Sequence, residues 1–167
     1  MSDSYTTYYL DMLYPEQVRA KSLPDDLLIL ECEIKQFQLN RFLYQLVGGP
    51  WQWTDKLNWT DQQWQALVES DNHRTWVAWH KGAIVGYYEL LRDAQGAVEI
   101  LYFGLVESFF GRGFGGLLLS HALQSAWAWP GTRRVWVHTC SLDHPSALAN
   151  YQARGMQIYC EEVTSIG

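Results

Sequence analysis

Cysteine is scarce in this chain: only Cys32, Cys140 and Cys160 occur in 167 residues, far apart and odd in number. That excludes a disulfide framework and fits reduced thiols. No apolar run approaches membrane-spanning length, and the first twenty residues lack a basic start followed by an apolar stretch. Neither a membrane partner nor a secretory leader is therefore expected, and the location expected is cytoplasmic. Positive charge is also in short supply, with 12 Lys and Arg against 18 Asp and Glu, a formal net charge of −6. This balance argues against a nucleic-acid partner and permits a cationic substrate. His138, Cys140, His144 and Cys160 lack zinc-site spacing, so no metal is expected. Repeats, low-complexity tracts and linkers are absent too, which leaves a single domain over residues 1–167.

What is present is a 48% apolar composition, enough for one substantial core. "YTTYYLDML" has the residue types of a strand, whereas "LLILECEI" suits a strand or a helix equally. "NRFLYQLVGG" reads as a helix closed by Gly48 and Gly49. A further helix starts at Thr60 or Asp61 and sets Trp64, Leu67 and Val68 on one face. "RTWVAWH" and "AIVGYYELL" form a hairpin turning at Lys81 and Gly82, and "AVEILYFGLV" (97–106) is the next strand. The spacing then predicts a helix over 116–129 with Leu118, Ala122 and Ala126 facing inward, stopped by Pro130 and Gly131. A strand over 133–140, a short helix over 144–155 and a last strand complete the chain. The order implies a mixed α/β fold around one sheet, mostly antiparallel and flanked by helices. The exposed last strand is a natural seam for a homodimer.

The most informative stretch is "SFFGRGFGGLLLS", residues 108–120, which places Gly111, Gly113, Gly115 and Gly116 around Arg112. Glycine at that density costs conformational entropy, so the backbone itself is expected to touch something. A glycine hinge between a strand and a helix makes an anion cradle, because free N–H groups and the helix dipole point into it. Gly111, Gly113 and Gly116 match a dinucleotide-binding spacing. However, such a fold wants that motif on its first strand and an acid closing the second. A phosphate-binding P-loop fails as well, since no Lys-Ser or Lys-Thr pair follows the glycines.

"LVESFFGRGFGGLLL" after a strand, followed by a helix, a strand and "HPSALANYQARGM", resembles the GNAT superfamily of acyl-CoA-dependent N-acyltransferases. In that family a turn of the form Gln/Arg-x-x-Gly-x-Gly/Ala holds the coenzyme A diphosphate. Gly113 and Gly115 match its small positions, while Phe110 stands where the pattern has Gln or Arg. A second family signature is met by Ala147, Tyr151 and Gly155, with Met156 in place of Phe and His144 in place of Asn. The resemblance covers residues from about 73 onward and is loose before them. It implies acetyl or short acyl transfer from acetyl-CoA to a primary amine, in a small-molecule or peptide acceptor, with no metal. The amides of Gly111, Arg112, Gly113, Phe114, Gly115 and Gly116 would hold the diphosphate. The strand would splay at Leu105 and Val106, where a free N–H polarises the thioester carbonyl. Arg112, Arg133 or Arg154 would meet the outlying 3′-phosphate.

Within that frame Tyr151 is the expected acid for the leaving thiolate, since a phenol of pKa about 10 stays protonated at neutral pH; a buried structural tyrosine is the alternative. Glu99 is the expected base. Two-residue alternation sets it beside Leu101, Phe103 and Leu105, where burial would raise its pKa, and sets Tyr102 on the opposite face. A salt-bridged or edge-facing carboxylate is the alternative, and Glu107 is the reserve base. In "GGPWQWTDKLNW", Trp51 and Trp53 either line an acceptor pocket with Asp55 as counter-charge or pack helices on the sheet. His144, beside Asp143, is expected to cap the helix starting at Pro145. A different class of function on the same fold is a non-catalytic acyl-CoA sensor or partner-binding module.

Overall fold

Tight turn chemistry organises the first half of the sheet. The computed structural model describes residues 3–51 and 53–166. β3 (His73–His80) and β4 (Ala83–Arg92) pair across Lys81 and Gly82, both at positive φ, the conformation a two-residue hairpin demands. β5 (Ala97–Leu105) pairs antiparallel with β4, and β2 (Leu27–Glu31) with β3. The ambiguous "LLILE" run is thus a strand. β6 (Arg134–Cys140), β1 (Asp3–Met12) and β7 (Gln157–Ile166) complete a seven-stranded sheet in the order β2-β3-β4-β5-β6-β1-β7. Every neighbouring pair is antiparallel except β5 with β6. β7 is an edge strand, with Val163 and Ile166 exposed. No helix among the described residues is long and apolar enough to cross a membrane.

Alternation along the strands feeds two cores. α3 (Phe114–Ala128) buries Leu118, Ala122 and Ala126 completely, as its spacing predicts, against Tyr88, Leu90, Val98, Ile100 and Val135. α4 (Ala147–Ala153) lies on the same face and adds Tyr151. The other face carries α1 (Phe37–Gly48) and α2 (Asp61–Val68), which bury Leu43, Val47 and Trp64 with Val77 and Tyr87. α2 starts with a capping box: Thr60 Oγ1 accepts from Gln63 N–H and Gln63 Oε1 accepts from Thr60 N–H. Trp64 is therefore core, and Leu67 is only partly covered.

The sequence places a helix start at Pro145 capped by His144. Instead α4 begins at Ala147 with Ser146 as N-cap, and His144 Nδ1 accepts from Ser146 N–H at 3.0 Å. Asp143 accepts from Thr139 Oγ1 at 2.6 Å and Cys140 N–H at 3.0 Å, tying the loop to the end of β6. At the far end of α4, Gly155 has φ +109, and a Cβ there would lie 2.0 Å from the Gln17 carbonyl oxygen. Gly155→Ala combines a disfavoured backbone conformation with a clash against main chain, so it should destabilise the fold by at least about 2 kcal/mol. Chemical denaturation is the measurement; a loss under about 0.5 kcal/mol would show that the neighbouring segment yields.

Candidate active site

β5 and β6 run parallel but pair at three positions only: Ala97 with Arg134, Val98 with Val135, and Glu99 with Trp136. Beyond Glu99 each strand stays with its other neighbour, β5 with β4 and β6 with β1, and a gap opens between them. A cavity of about 910 Å³ fills that gap. Leu101 to Leu105 form one wall, Val137 to Cys140 the other, α4 contributes Tyr151 and Arg154, and the glycine turn lines its end. The β4–β5 ladder fixes which main-chain groups face it. Val106 N–H donates to Val85 O at 2.7 Å, so Val106 does not offer the free N–H expected of it. Alternation then turns the N–H groups of Leu105 and Phe103 away from β4 and toward the gap.

The glycine turn is shorter than the sequence suggested. Gly111 and Gly113 carry φ of +73° and +83°, and a Cβ on either would meet nothing within 4 Å. They are glycine for their backbone conformation, and the space before them is open. Gly113 is the N-cap of α3 with no side-chain cap, so the first-turn N–H groups point out of the helix unclaimed. Gly115 and Gly116 lie inside that first turn. A Cβ on Gly116 would sit 3.0 Å from the flexible end of Lys21, whereas one on Gly115 would make only ordinary contact, 3.5 Å from Asn150 Nδ2.

Lys21 is a site residue that sequence reasoning missed. Its own N–H donates to Ser120 Oγ at 2.8 Å, and that hydroxyl donates to Gly116 O at 2.7 Å. This fastens the segment after β1 onto α3 and sets an ammonium beside the turn. Of the three arginines expected near the outlying phosphate, Arg154 reaches the cavity, and its Nε is buried without a partner. Arg112 instead lies over the Phe109 and Phe114 rings, 5.2 and 5.4 Å from their centroids, so only its main chain belongs to the turn. Arg133 stands at the opposite end of β5, its N–H donating to Gly96 O. Glu107 is exposed in the short 3-10 turn before the glycines, outside the cavity lining.

Tyr151 is 6% exposed, packs against the Phe103 ring and lines the cavity. Burial pushes its phenol well above the ordinary tyrosine value, so it keeps its proton at any physiological pH. Glu99 stands at the apex of the gap with 15% of its side chain exposed. Burial raises its carboxyl to about 7, and the Lys56 ammonium pulls it partly back. It lines a second, smaller cleft of about 250 Å³ with Ser70, Asn72, Asp93 and Trp136, while His138 Nε2, on the wall of the main cavity, lies 3.8 Å from its Oε2.

One expectation about this strand is overturned. The register between β4 and β5 slips, Leu90 facing Ile100 but Glu89 facing Tyr102, so Leu101 is an extra residue, a β-bulge. The bulge resets the alternation and brings Tyr102 to the face of Glu99, while Phe103 and Leu105 go to the α3 face. Lys56 Nζ donates to Tyr102 OH and sits 4.5 and 4.6 Å from the Trp59 and Tyr102 ring centres. Desolvation lowers the Lys56 pKa, while Glu89, Asp55 and Glu99 hold it up.

The aromatic segment divides by partner. Trp51 packs on Phe110 and His144, beside the glycine turn, and Trp53 packs on Tyr44 and Tyr102. Asp55 is exposed at the rim, and all three line the cavity. Cys140 lines it too, but burial raises its thiol, which makes it a poor nucleophile. No group of His, Cys, Asp and Glu among the described residues is arranged to hold a metal ion.

Residues 35–156 match the model of the acetyltransferase (GNAT) family, and the chain belongs to that family. Solved structures share the fold. A GCN5-related N-acetyltransferase from Kribbella flavida superposes with a TM-score of 0.69 at 16% identity, over 96% of this chain and 57% of that one. An IAA acetyltransferase from Bacillus cereus gives 0.61 at 26% identity, over 80% of this chain and 79% of the other. An aminoglycoside acetyltransferase from an uncultured soil metagenomic sample gives 0.63 at 18% identity, over 80% and 90%. This chain thus spans little more than half the length of the Kribbella protein. No curated protein matches it by sequence. GNAT acetyltransferases draw their acyl group from acetyl-CoA.

Because the folded-state pKa of Glu99 lies above the ordinary glutamate value, the native state binds the extra proton between about 4.5 and 7. Stability therefore falls as pH rises through that window. Glu99→Gln removes the titration, so its Tm relative to wild type should rise between about pH 5 and about pH 8. A Tm difference that stays constant with pH would show that Glu99 ionises normally.

Proposed function

We propose that this chain transfers an acetyl group from acetyl-CoA to a primary amine by direct attack within a ternary complex. The observation that carries this reading is the one-sided edge of β5, ending at a glycine turn with unclaimed amides. A diphosphate fits that turn: the cradle is open, its N–H groups converge at the start of a 15-residue helix, and Lys21 and Arg154 supply cations. The donor brings a thioester carbonyl and a thiolate leaving group; the chain must bind it, polarise it and move protons.

The amides of Gly111 to Gly116 hold the diphosphate, and Lys21 with Arg154 meets the remaining phosphate charge. The outward N–H of Leu105 or Phe103 donates to the polarised carbonyl oxygen, a donor fixed in place before reaction. Tyr151, protonated and facing the cavity, gives its proton to the departing sulfur. Glu99, with a pKa of about 7, accepts the proton that the amine must lose. Trp53 and Asp55 receive the acceptor on the α1 side, the indole against its body and the carboxylate near its positive charge. Trp51, beside Phe110, flanks the donor end. The raised thiol of Cys140 favours direct attack over an acyl-cysteine route.

The test is release of free thiol from acetyl-CoA on addition of a panel of primary amines. Wild type should release thiol with at least one of them. Tyr151→Phe should lower kcat by about 10²-fold at saturating donor, the scale of a lost general acid. An unchanged kcat would return Tyr151 to a packing role. No thiol release by wild type that still binds acetyl-CoA would favour the non-catalytic sensor instead.

A further inference from the structure

His138 and Glu99, close to each other near the apex of the gap, line different hollows. His138 lines the main cavity, in which Glu99 has no part, and Glu99 lines the smaller cleft, in which His138 has no part. Their facing atoms, Nε2 and Oε2, are 3.8 Å apart. Resting on the function proposed above, we infer that His138 and Glu99 form a two-residue proton path from the acceptor amine in the main cavity to the smaller cleft that Glu99 lines.

The path balances as follows. The negative charge of Glu99 favours the tautomer that carries its proton on Nε2, the ring nitrogen nearer the carboxylate, which leaves Nδ1 with a free lone pair. An ammonium N–H bond breaks as Nδ1–H forms, the Nε2–H bond breaks, and Oε2–H forms on Glu99. The neutral amine is left to attack, and Glu99 gives its proton to water in the cleft between Asn72 and Asp93. The geometry suits each end. His138 is half-exposed, stands beside the Tyr9 and Trp136 rings at 5.8 and 6.3 Å, and lines the main cavity where the acceptor would sit. Glu99 is largely buried, so only a neighbour already on the cavity wall connects it to the acceptor. The raised carboxyl lets it receive a proton near neutrality. The charged and titratable groups around Glu99 are Lys56 from the loop before α2, Tyr102 on its own strand, Arg92 and Asp93 in the same cleft, and His138 from β6.

Two measurements test this with the full-length protein. In steady-state kinetics, His138→Gln and Glu99→Gln should each lower kcat/KM for the amine by about 10²-fold. The double variant should be no worse than either single one, since the two act as a unit. The affinity for acetyl-CoA should be unchanged in all three. In isotope-edited infrared spectroscopy, which needs no turnover, the Glu99 carboxyl should titrate about half a pH unit higher in His138→Gln, having lost the imidazole N–H dipole that faces its carboxylate. Additive kinetic losses, or a full-activity His138→Gln, would overturn the path. An unmoved Glu99 titration would overturn it even if no acceptor amine is found. Absence of transfer by wild type with an intact infrared coupling would instead overturn the function on which the path rests.

Discussion

Everything at this site depends on one constraint, the early parting of β5 from β6. Two parallel strands that stopped pairing in water would simply bind water. Here they part inside the domain, with α3 and α4 on one face and α1 on the other, so the freed main-chain groups line a half-open gap. Buried N–H and C=O groups need partners. A ligand able to lie along β5 as a surrogate strand supplies them, and pantetheine has the amides to do so. In the proposed reaction the sheet contributes specificity through its backbone, and side chains contribute charge and proton transfer.

The same parting explains why the chemistry gathers where it does. The proposed donor end is built from the glycine turn, the start of α3 and the cations of Lys21 and Arg154. In the proposed reaction Tyr151 serves the gap between β5 and β6 from the α4 face, and Glu99, through His138, from the α1 face. The proposed acid and base thus stand on opposite sides of the sheet, and burial raises both pKa values: it keeps the phenol protonated and brings the carboxyl near neutrality. The bulge at Leu101 makes this division possible, since it moves Tyr102 to the Glu99 face and Phe103 to the α3 face, against Tyr151. On that face Lys56 links Tyr102 to the acids around it.

Much of the fold was legible because its signals are local. Lys81-Gly82 specifies a hairpin, Thr60 with Gln63 specifies a helix start, and the apolar spacing of 118, 122 and 126 specifies a buried face. The glycine turn was legible for the same reason, as was Tyr151 within its short helix. What could not be read depends on distance or on a one-residue irregularity. Nothing in "AVEILYFGL" marks Leu101 as extra, so strict alternation put Tyr102 on the wrong face. Lys21 belongs to an irregular segment far from the glycines in sequence, and only tertiary packing brings its ammonium there. Val106 lost its free N–H to Val85, a ladder partner that residue type does not reveal. Arg112, surrounded by glycines, seemed the natural phosphate contact; Phe109 and Phe114 offered its guanidinium an aromatic bed instead. His138 carried no signal at all until β6 stood beside the apex.

The central claim is that main-chain amides at the parted strands grip a diphosphate-bearing thioester. Isothermal titration calorimetry of the folded protein with acetyl-CoA, repeated with Gly113→Val, measures it most directly. The account predicts saturable binding to wild type, weakening as salt is raised, and at least about a tenfold loss in the variant, whose turn cannot hold its left-handed conformation. Wild type that binds no acetyl-CoA, or a folded variant that binds it equally well, would contradict the account.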